Sequence, residues 1–452
     1  MKENTAKSVG AFCIRSFKIQ DLTPLLLLAV MYLMPHPCSA LTLDEAISLA
    51  KMNLPSYKAQ LKRLDSTEAL YRVSLGTFFP RLDVTGSSTR YDTTSGNYDS
   101  NNYDVTLSYK LFEGFEGVAN RNISKYNLEI DREELSKNLL DLEFNIKGVF
   151  YTSLALKEVE KARKLQLEDA KKDYDVADGR YKLGVVKLSD LLQASVRLEQ
   201  AKFNLIETEG NLRKAIAELY SLIGIAHDTS YDLEGGMEGT VTLPDREKLT
   251  ALVLERPEMK QAEYTLKKSE SSNTLARGEF WPALSADLSY SRAEDSGLLD
   301  EDYTDKSARI VATWNLFELG KFYREKSSRA EINVAEENLR EMRRQLLLDF
   351  EKYYEDFVTA SNNIAVARQQ LTQAEQNYNQ AFWEYKVGKG DILSLVVAED
   401  LLAGARQQTA TSRLNLMIAK SQLERVTGLD RLESQTGVTP PSNEQPRHAE
   451  GQ

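Results

Sequence analysis

Two periodicities alternate along the chain, and the alternation happens twice. From Leu41 to Phe78 apolar residues recur at helical spacing, beginning with Leu43, Ile47, Ala50 and Leu54. Thr42, with Glu45 three residues on, has the form of a capping box, and Pro55 marks a break between a short helix and a longer one. The period then drops to two. Tyr103, Val105, Leu107, Tyr109 and Leu111 alternate with Asp104, Thr106, Ser108 and Lys110, and Leu82 and Val84 alternate with Asp83 and Thr85. The stretch 92–102 between them is polar and turn-rich, which predicts a hairpin over 81–112 with a loop at its tip. Helical spacing then resumes. It predicts a helix over 118–183, roughly 100 Å long at about 1.5 Å per residue, and a return helix over 187–222.

The second half repeats this order. A helix is expected over Leu249 to Phe280, and Trp281-Pro282 echoes Phe79-Pro80. A hairpin over 283–317 follows, in which Leu284, Ala286, Leu288 and Tyr290 alternate with Ser285, Asp287, Ser289 and Ser291, and Ile310, Ala312, Trp314 and Leu316 alternate with Arg309, Val311, Thr313 and Asn315. A long helix over 321–387 and a final helix over 391–426 complete the copy, with Asp391 as its N-cap. The most specific repeat is L-x2-A-x3-Y-x2-A-x3-Y-K-x-G, found at Leu167 to Gly184 and again at Leu371 to Gly388. Steps of three and four put its Ala and Tyr positions on one helix face. Gly184, after Tyr181 and Lys182, and Gly388, after Tyr385 and Lys386, are the expected left-handed helix terminators.

The chain therefore divides into a leader (1–40), a first repeat (41–223), an inter-repeat segment (224–247), a second repeat (248–427) and a tail (428–452). The fold class is α plus transmembrane β. Strands of about ten residues suit a tilted crossing of an outer membrane. Tyr103, Val105, Leu107, Tyr109, Leu284, Leu288, Ile310 and Trp314 are then the lipid-facing candidates. Taken alone, the pattern also fits hairpins half-buried against a soluble core. In a membrane, four strands cannot close a barrel, eight give an interior filled by side chains, and about twelve leave a pore, so a conduit favours a homotrimer.

Composition narrows the function. A net charge of −11 disfavours a nucleic-acid partner. Three scattered histidines offer no metal site. There is no phosphate-binding glycine loop, no metal-spaced cysteine pair and no histidine-based triad, so neither an enzyme nor a cofactor is expected. Both cysteines, Cys13 and Cys38, lie upstream of Leu41. The apolar run 24–34 follows Lys2, Lys7, Arg15 and Lys18 and precedes Cys38-Ser39-Ala40, which reads as a secretory leader cleaved near Leu41. An anchor, a misassigned start or a lipidated Cys38 are the alternatives.

The run Leu41 to Ile47 (LTLDEAI), the F-x-P-x-L start of each hairpin and the two Y-K-x-G turns resemble the TolC-type outer-membrane efflux proteins over roughly residues 41–430. The resemblance implies a trimeric 12-stranded β-barrel in outer-membrane lipid. It also implies an α-helical barrel reaching into the periplasm and an equatorial belt drawn from residues near 224–247 and after about 427. The implied function is a passive exit duct for tripartite efflux or type I secretion, serving a periplasmic adaptor and an inner-membrane pump. A secreted or surface-attached coiled-coil protein without a pore is the alternative, and the hairpins and leader argue against it.

In the family the inner helix ends close the tunnel. The resemblance assigns a hydrogen bond between the positions of Tyr385 and Asp190. A second family link is absent, because Gly390 and Val397 stand where it needs an arginine and an aspartate. A further family acid is replaced by Ser394. The gate candidates are thus Asp190, Tyr385, Ser394 and Asp391. Tyr385 also fits a plain coiled-coil knob, and Asp190 a first-turn acid favouring the helix dipole.

Overall fold

The computed structural model describes residues 40–94, 96–226, 231–237, 245–295 and 302–429. The leader up to Ser39, Cys38 included, and the tail from Asp430 lie outside the described residues. The strand β1 (Ala40–Leu41) leads into α1 (Leu43–Asn53). The capping box is formed: Thr42 N donates to Glu45 Oε2 at 3.0 Å, and Glu45 N donates to Thr42 Oγ1 at 3.4 Å. Helix α2 (Pro55–Leu75) starts on Pro55, where the missing N–H has no helical partner to lose.

Next come β2 (Arg81–Thr93), β3 (Gly96–Glu113), α3 (Glu116–Lys182) and α4 (Leu188–Ile223). Strand β4 (Asp232–Leu233) pairs in parallel with β1. The second copy runs α5 (Arg246–Leu254), α6 (Pro257–Gly278), β5 (Ala283–Asp295), β6 (Tyr303–Thr313), α7 (Leu319–Lys386) and α8 (Ile392–Thr427). Helices α3 and α7 have 67 and 68 residues, roughly 100 Å each at about 1.5 Å per residue.

The hairpins join in one antiparallel sheet of order β2-β3-β5-β6. Its register aligns Leu82, Leu107, Leu288 and Ala308 in one row and Val84, Val105, Tyr290 and Lys306 in the next. Tyr103, Val105, Tyr109, Leu288 and Ile310 are exposed, and Leu107 and Leu284 half-buried. Three expectations about the sheet change, and the single helix expected over Leu249 to Phe280 is broken into α5 and α6, because Arg256, before Pro257, is extended. The polar stretch 92–102 is mostly strand, with Thr93 facing Gly96 across the reversal. Ladder hydrogen bonds need no apolar side chains, and this tip adds a stacked Tyr91–Tyr98 pair at 4.8 Å and an Arg90–Asp99 ion pair. A bulge between Lys110 and Phe112 ends the strict alternation, so Phe112 rather than Leu111 faces Leu284. Strand β6 stops at Thr313, and Trp314 sits just beyond it, its indole Nε1 donating to Phe280 O at 3.1 Å.

The main core lies midway along the helices. Ile146 and Phe150 of α3, Leu219 and Ile223 of α4, Phe350 of α7 and Leu423 of α8 meet there under Leu41, Ala46 and Val253. The flanking pieces α1, α5 and the β1–β4 pair pack against this level, and Lys157 Nζ ties the β4 residues Asp232 and Leu233 to α3. Ion pairs then pin α3 to α8 along their length: Asp141–Arg425, Lys147–Glu424, Glu158–Arg413 and Asp169–Arg406.

At the junction of strands and helices the two copies touch backbone to backbone. Gly114 has φ +58°, and a Cβ there would strike the carbonyl of Gly278; a Cβ on Gly278 would lie 2.5 Å from Gly114 O. Gly278→Ala is therefore expected to destabilise the fold by about 2–3 kcal/mol, whereas Gly76→Ala, with φ −58° and open space around the new methyl, should change it by no more than about 0.5 kcal/mol. Thermal unfolding of the detergent-extracted protein measures both.

Candidate functional site

Both long helices end in the same hydrogen-bonded turn. Gly184 and Gly388 hold φ +70° and +82°. Gly184 N donates to Tyr181 O at 2.9 Å and Val185 N to Arg180 O at 3.0 Å; Gly388 N donates to Tyr385 O at 3.1 Å and Lys389 N to Glu384 O at 2.9 Å. These are paired Schellman closures, in which the glycine's left-handed backbone lets the last carbonyls find donors.

The side chains around the turns are not equivalent. Tyr385 is 1% exposed while its counterpart Tyr181 is 39% exposed. Lys182 pairs with Asp178 at 2.7 Å, and Lys386 lies 4.6 Å from the Trp383 ring centroid. The asymmetry originates at Arg180, which stands where the second copy has Glu384. Its Nη1 donates to Tyr385 O at 2.5 Å, and its guanidinium carbon lies 4.5 Å from the Tyr385 ring centroid. One cation thus caps a helix-end carbonyl and covers an aromatic face of the other repeat.

The expected Asp190–Tyr385 hydrogen bond is not formed within the chain. The Tyr385 hydroxyl is buried without a hydrogen-bond partner, and Asp190 Oδ1 accepts from Ser189 Oγ at 3.1 Å. Arg180 holds the tyrosine by its backbone and ring instead, leaving the hydroxyl enclosed. Burial pushes the Tyr385 phenol pKa up, Arg180 opposes this, and the Asp190 charge adds to it. Asp391 and Ser394 do come together: Ser394 N and Oγ both donate to the Asp391 carboxylate at 2.9 Å. That is an N-cap of α8, and these bonds hold the Asp391 carboxyl below its usual range.

Two turns up the helices lies a second rung. Tyr378 Oη donates to Asp173 Oδ1 at 3.3 Å. Asp173–Tyr378 and Arg180–Tyr385 each span 205 residues of sequence, so α3 presents an acid and then a cation, seven residues apart, to two tyrosines of α7. Glu399 of α8 is buried beside this rung. Periodicity alone could not reveal Arg180, Asp173 or Glu399. The available signal was mismatch: Arg180 and Asp173 occupy positions where the second copy has Glu384 and Asn377. Among the described residues no cluster of acids, histidines or cysteines could hold a metal, and no helix is long and apolar enough to cross a membrane.

The family model for outer membrane efflux proteins matches residues 46–225 and 249–429, one match per repeat. Protein CyaE of Bordetella pertussis is 24% identical over 421 residues, covering 88% of each chain. The toluene efflux pump outer membrane protein TtgC of Pseudomonas putida is 22% identical over 421 residues, covering 85% of this chain and 82% of its own. Among solved structures, the outer membrane protein VceC of Vibrio cholerae superimposes with a TM-score of 0.75 at 18% identity, over 85% of this chain and 96% of its own.

If Arg180 is the cross-repeat clamp, Arg180→Ala will weaken the last turn of α7 by about 1–3 kcal/mol, while Tyr385→Phe, which removes only an unbonded hydroxyl, will change it by no more than about 0.5 kcal/mol. Amide hydrogen exchange over residues 383–388 distinguishes the two.

Proposed function

The chain belongs to the outer membrane efflux protein family, and from that premise we propose that three copies assemble into one exit duct, closed at its periplasmic end by the glycine turns. The observation that carries the reading is the open sheet. Strands β2 and β6 have unpaired outer edges, and one sheet face carries Tyr103, Val105, Tyr109, Leu288 and Ile310. In lipid such edges must pair, and twelve strands from three chains close a barrel wide enough to conduct. Phe79, Trp281, Trp314, Phe317 and Tyr323, all exposed, gather where strands meet helices and suit the membrane–water boundary. On α4, Leu192, Val196, Phe203 and Ile206 are exposed at helical spacing, a face that the next copy would cover.

The duct is passive. Energy comes from an inner-membrane pump, coupled through a periplasmic adaptor at the helical end. There Arg180 holds Tyr385 inside the helix seam, Asp190 stands at the start of α4, and Asp391 and Ser394 stiffen the second return helix.

Extraction should require detergent and yield a heat-sensitive trimer that conducts in planar bilayers. Arg180→Ala should raise single-channel conductance severalfold. A soluble monomer overturns the duct, and unchanged conductance from intact trimers overturns the gate.

A further inference from the structure

Three helices converge on two buried acids near the closed end. Asp173 of α3 and Glu399 of α8 are each 5% exposed. Tyr378 of α7 donates to one Asp173 oxygen, and the other oxygen, Oδ2, is buried with no hydrogen-bond partner. Neither acid forms an ion pair, because the neighbouring cations are engaged elsewhere. Arg406 holds Asp169 at 3.1 Å, Lys172 holds Glu168 at 2.9 Å, and Arg197 holds Asp400 at 2.6 Å. The charges facing the pair are Asp169 and Lys172 from α3, Arg197 from α4 and Asp400 from α8, with Tyr378 from α7. The facing charges are two acids and two cations, so nothing there offsets the charge of the pair itself, and Arg197, the cation acting on Glu399, is already paired with Asp400. Nor is the pair a product of the duplication: the matching positions in the other copies are Asn377 and Ser195, both uncharged.

We propose that Asp173 and Glu399 are a proton-operated lock, which lets α3, α7 and α8 pack tightly near the turns when neutral and drives α8 from α3 when both acids ionise. This rests on the duct reading for its consequence, a looser periplasmic closure, but the packing change stands on its own.

Burial, with the facing Glu399 carboxylate adding to it, pushes Asp173 up to about 7; burial also pushes Glu399 up to about 7, against the pull of Arg197. An unpacked carboxyl titrates near pH 4. Between about pH 4 and about pH 7 the loosened seam therefore releases protons that the packed seam keeps. Packing is strongest in acid, weakens across that window, and gains no further penalty above it.

The test uses the full-length trimer, with Asp173→Asn and Glu399→Gln singly and together. Each keeps side-chain shape, and asparagine already occupies the matching position in the second copy. Amide exchange over residues 395–402 in the wild type should accelerate roughly tenfold between about pH 5 and about pH 8 beyond the intrinsic pH effect, and conductance should rise with it. In the double variant the corrected exchange and the conductance should both stay at the acid level. A wild type without the acceleration, or a double variant that keeps it, overturns the lock. Normal exchange behaviour in a protein that fails to conduct at any pH supports the lock and overturns the duct.

Discussion

A backbone amide in hydrocarbon has no water to bond, and that constraint governs this chain. Four strands give a sheet whose inner ladders are complete and whose two edges are not. The defect cannot be repaired within one chain, because both hairpins are already used and no described helix is apolar enough to take their place in lipid. In lipid such edges are completed only by further strands, which is what the proposed trimer would supply. At the Gly114–Gly278 crossing two backbones approach so closely only because neither carries a side chain, and this brings the two hairpins into register at the base of the sheet.

Below the sheet the problem is different. Toward the glycine turns the buried seam of the long helices is mostly small, with Ala170 and Ala177 on α3 and Ala367 and Ala374 beside Tyr378 and Tyr385 on α7. Pairs such as Asp141–Arg425 and Glu158–Arg413, part-exposed between α3 and α8, add little stability individually. They do fix axial register, because a slip of one turn would break all of them together. Lys147–Glu424 is more deeply buried, where desolvation offsets much of the attraction, so its value lies in specifying which helix faces which.

The sequence disclosed what periodicity records. The long helices follow from uninterrupted spacing in threes and fours, and the turns follow from Gly184 and Gly388, whose positive φ only glycine adopts freely. Period-two alternation located the apolar sheet face but misjudged its ends. Strand pairing at the tip continues through residues of both faces being polar, and the Lys110–Phe112 bulge shifts the pattern by one. The site was less legible. A motif search weights positions where the copies agree, while the contacts between copies use positions where they differ. Asp190 and Tyr385 lie close enough to influence each other, yet the bond expected between them is replaced by Arg180, a residue that no shared pattern marks.

The two rungs on α3 hold α7 in different ways. A guanidinium stays charged across the accessible pH range, so Arg180 grips Tyr385 whatever the surroundings. Asp173 accepts from Tyr378 on the same helix face, but its charge depends on protons and on Glu399 opposite. Duplication supplied two matching tyrosines seven residues apart on α7, and divergence of α3 gave them partners of opposite chemistry. A constant clamp at the turn, with a variable one above it, allows the seam to loosen from above while the turn itself remains formed. In the proposed gate, opening is then a spreading of helices about intact glycine turns, with the backbone hydrogen bonds of both Schellman closures preserved.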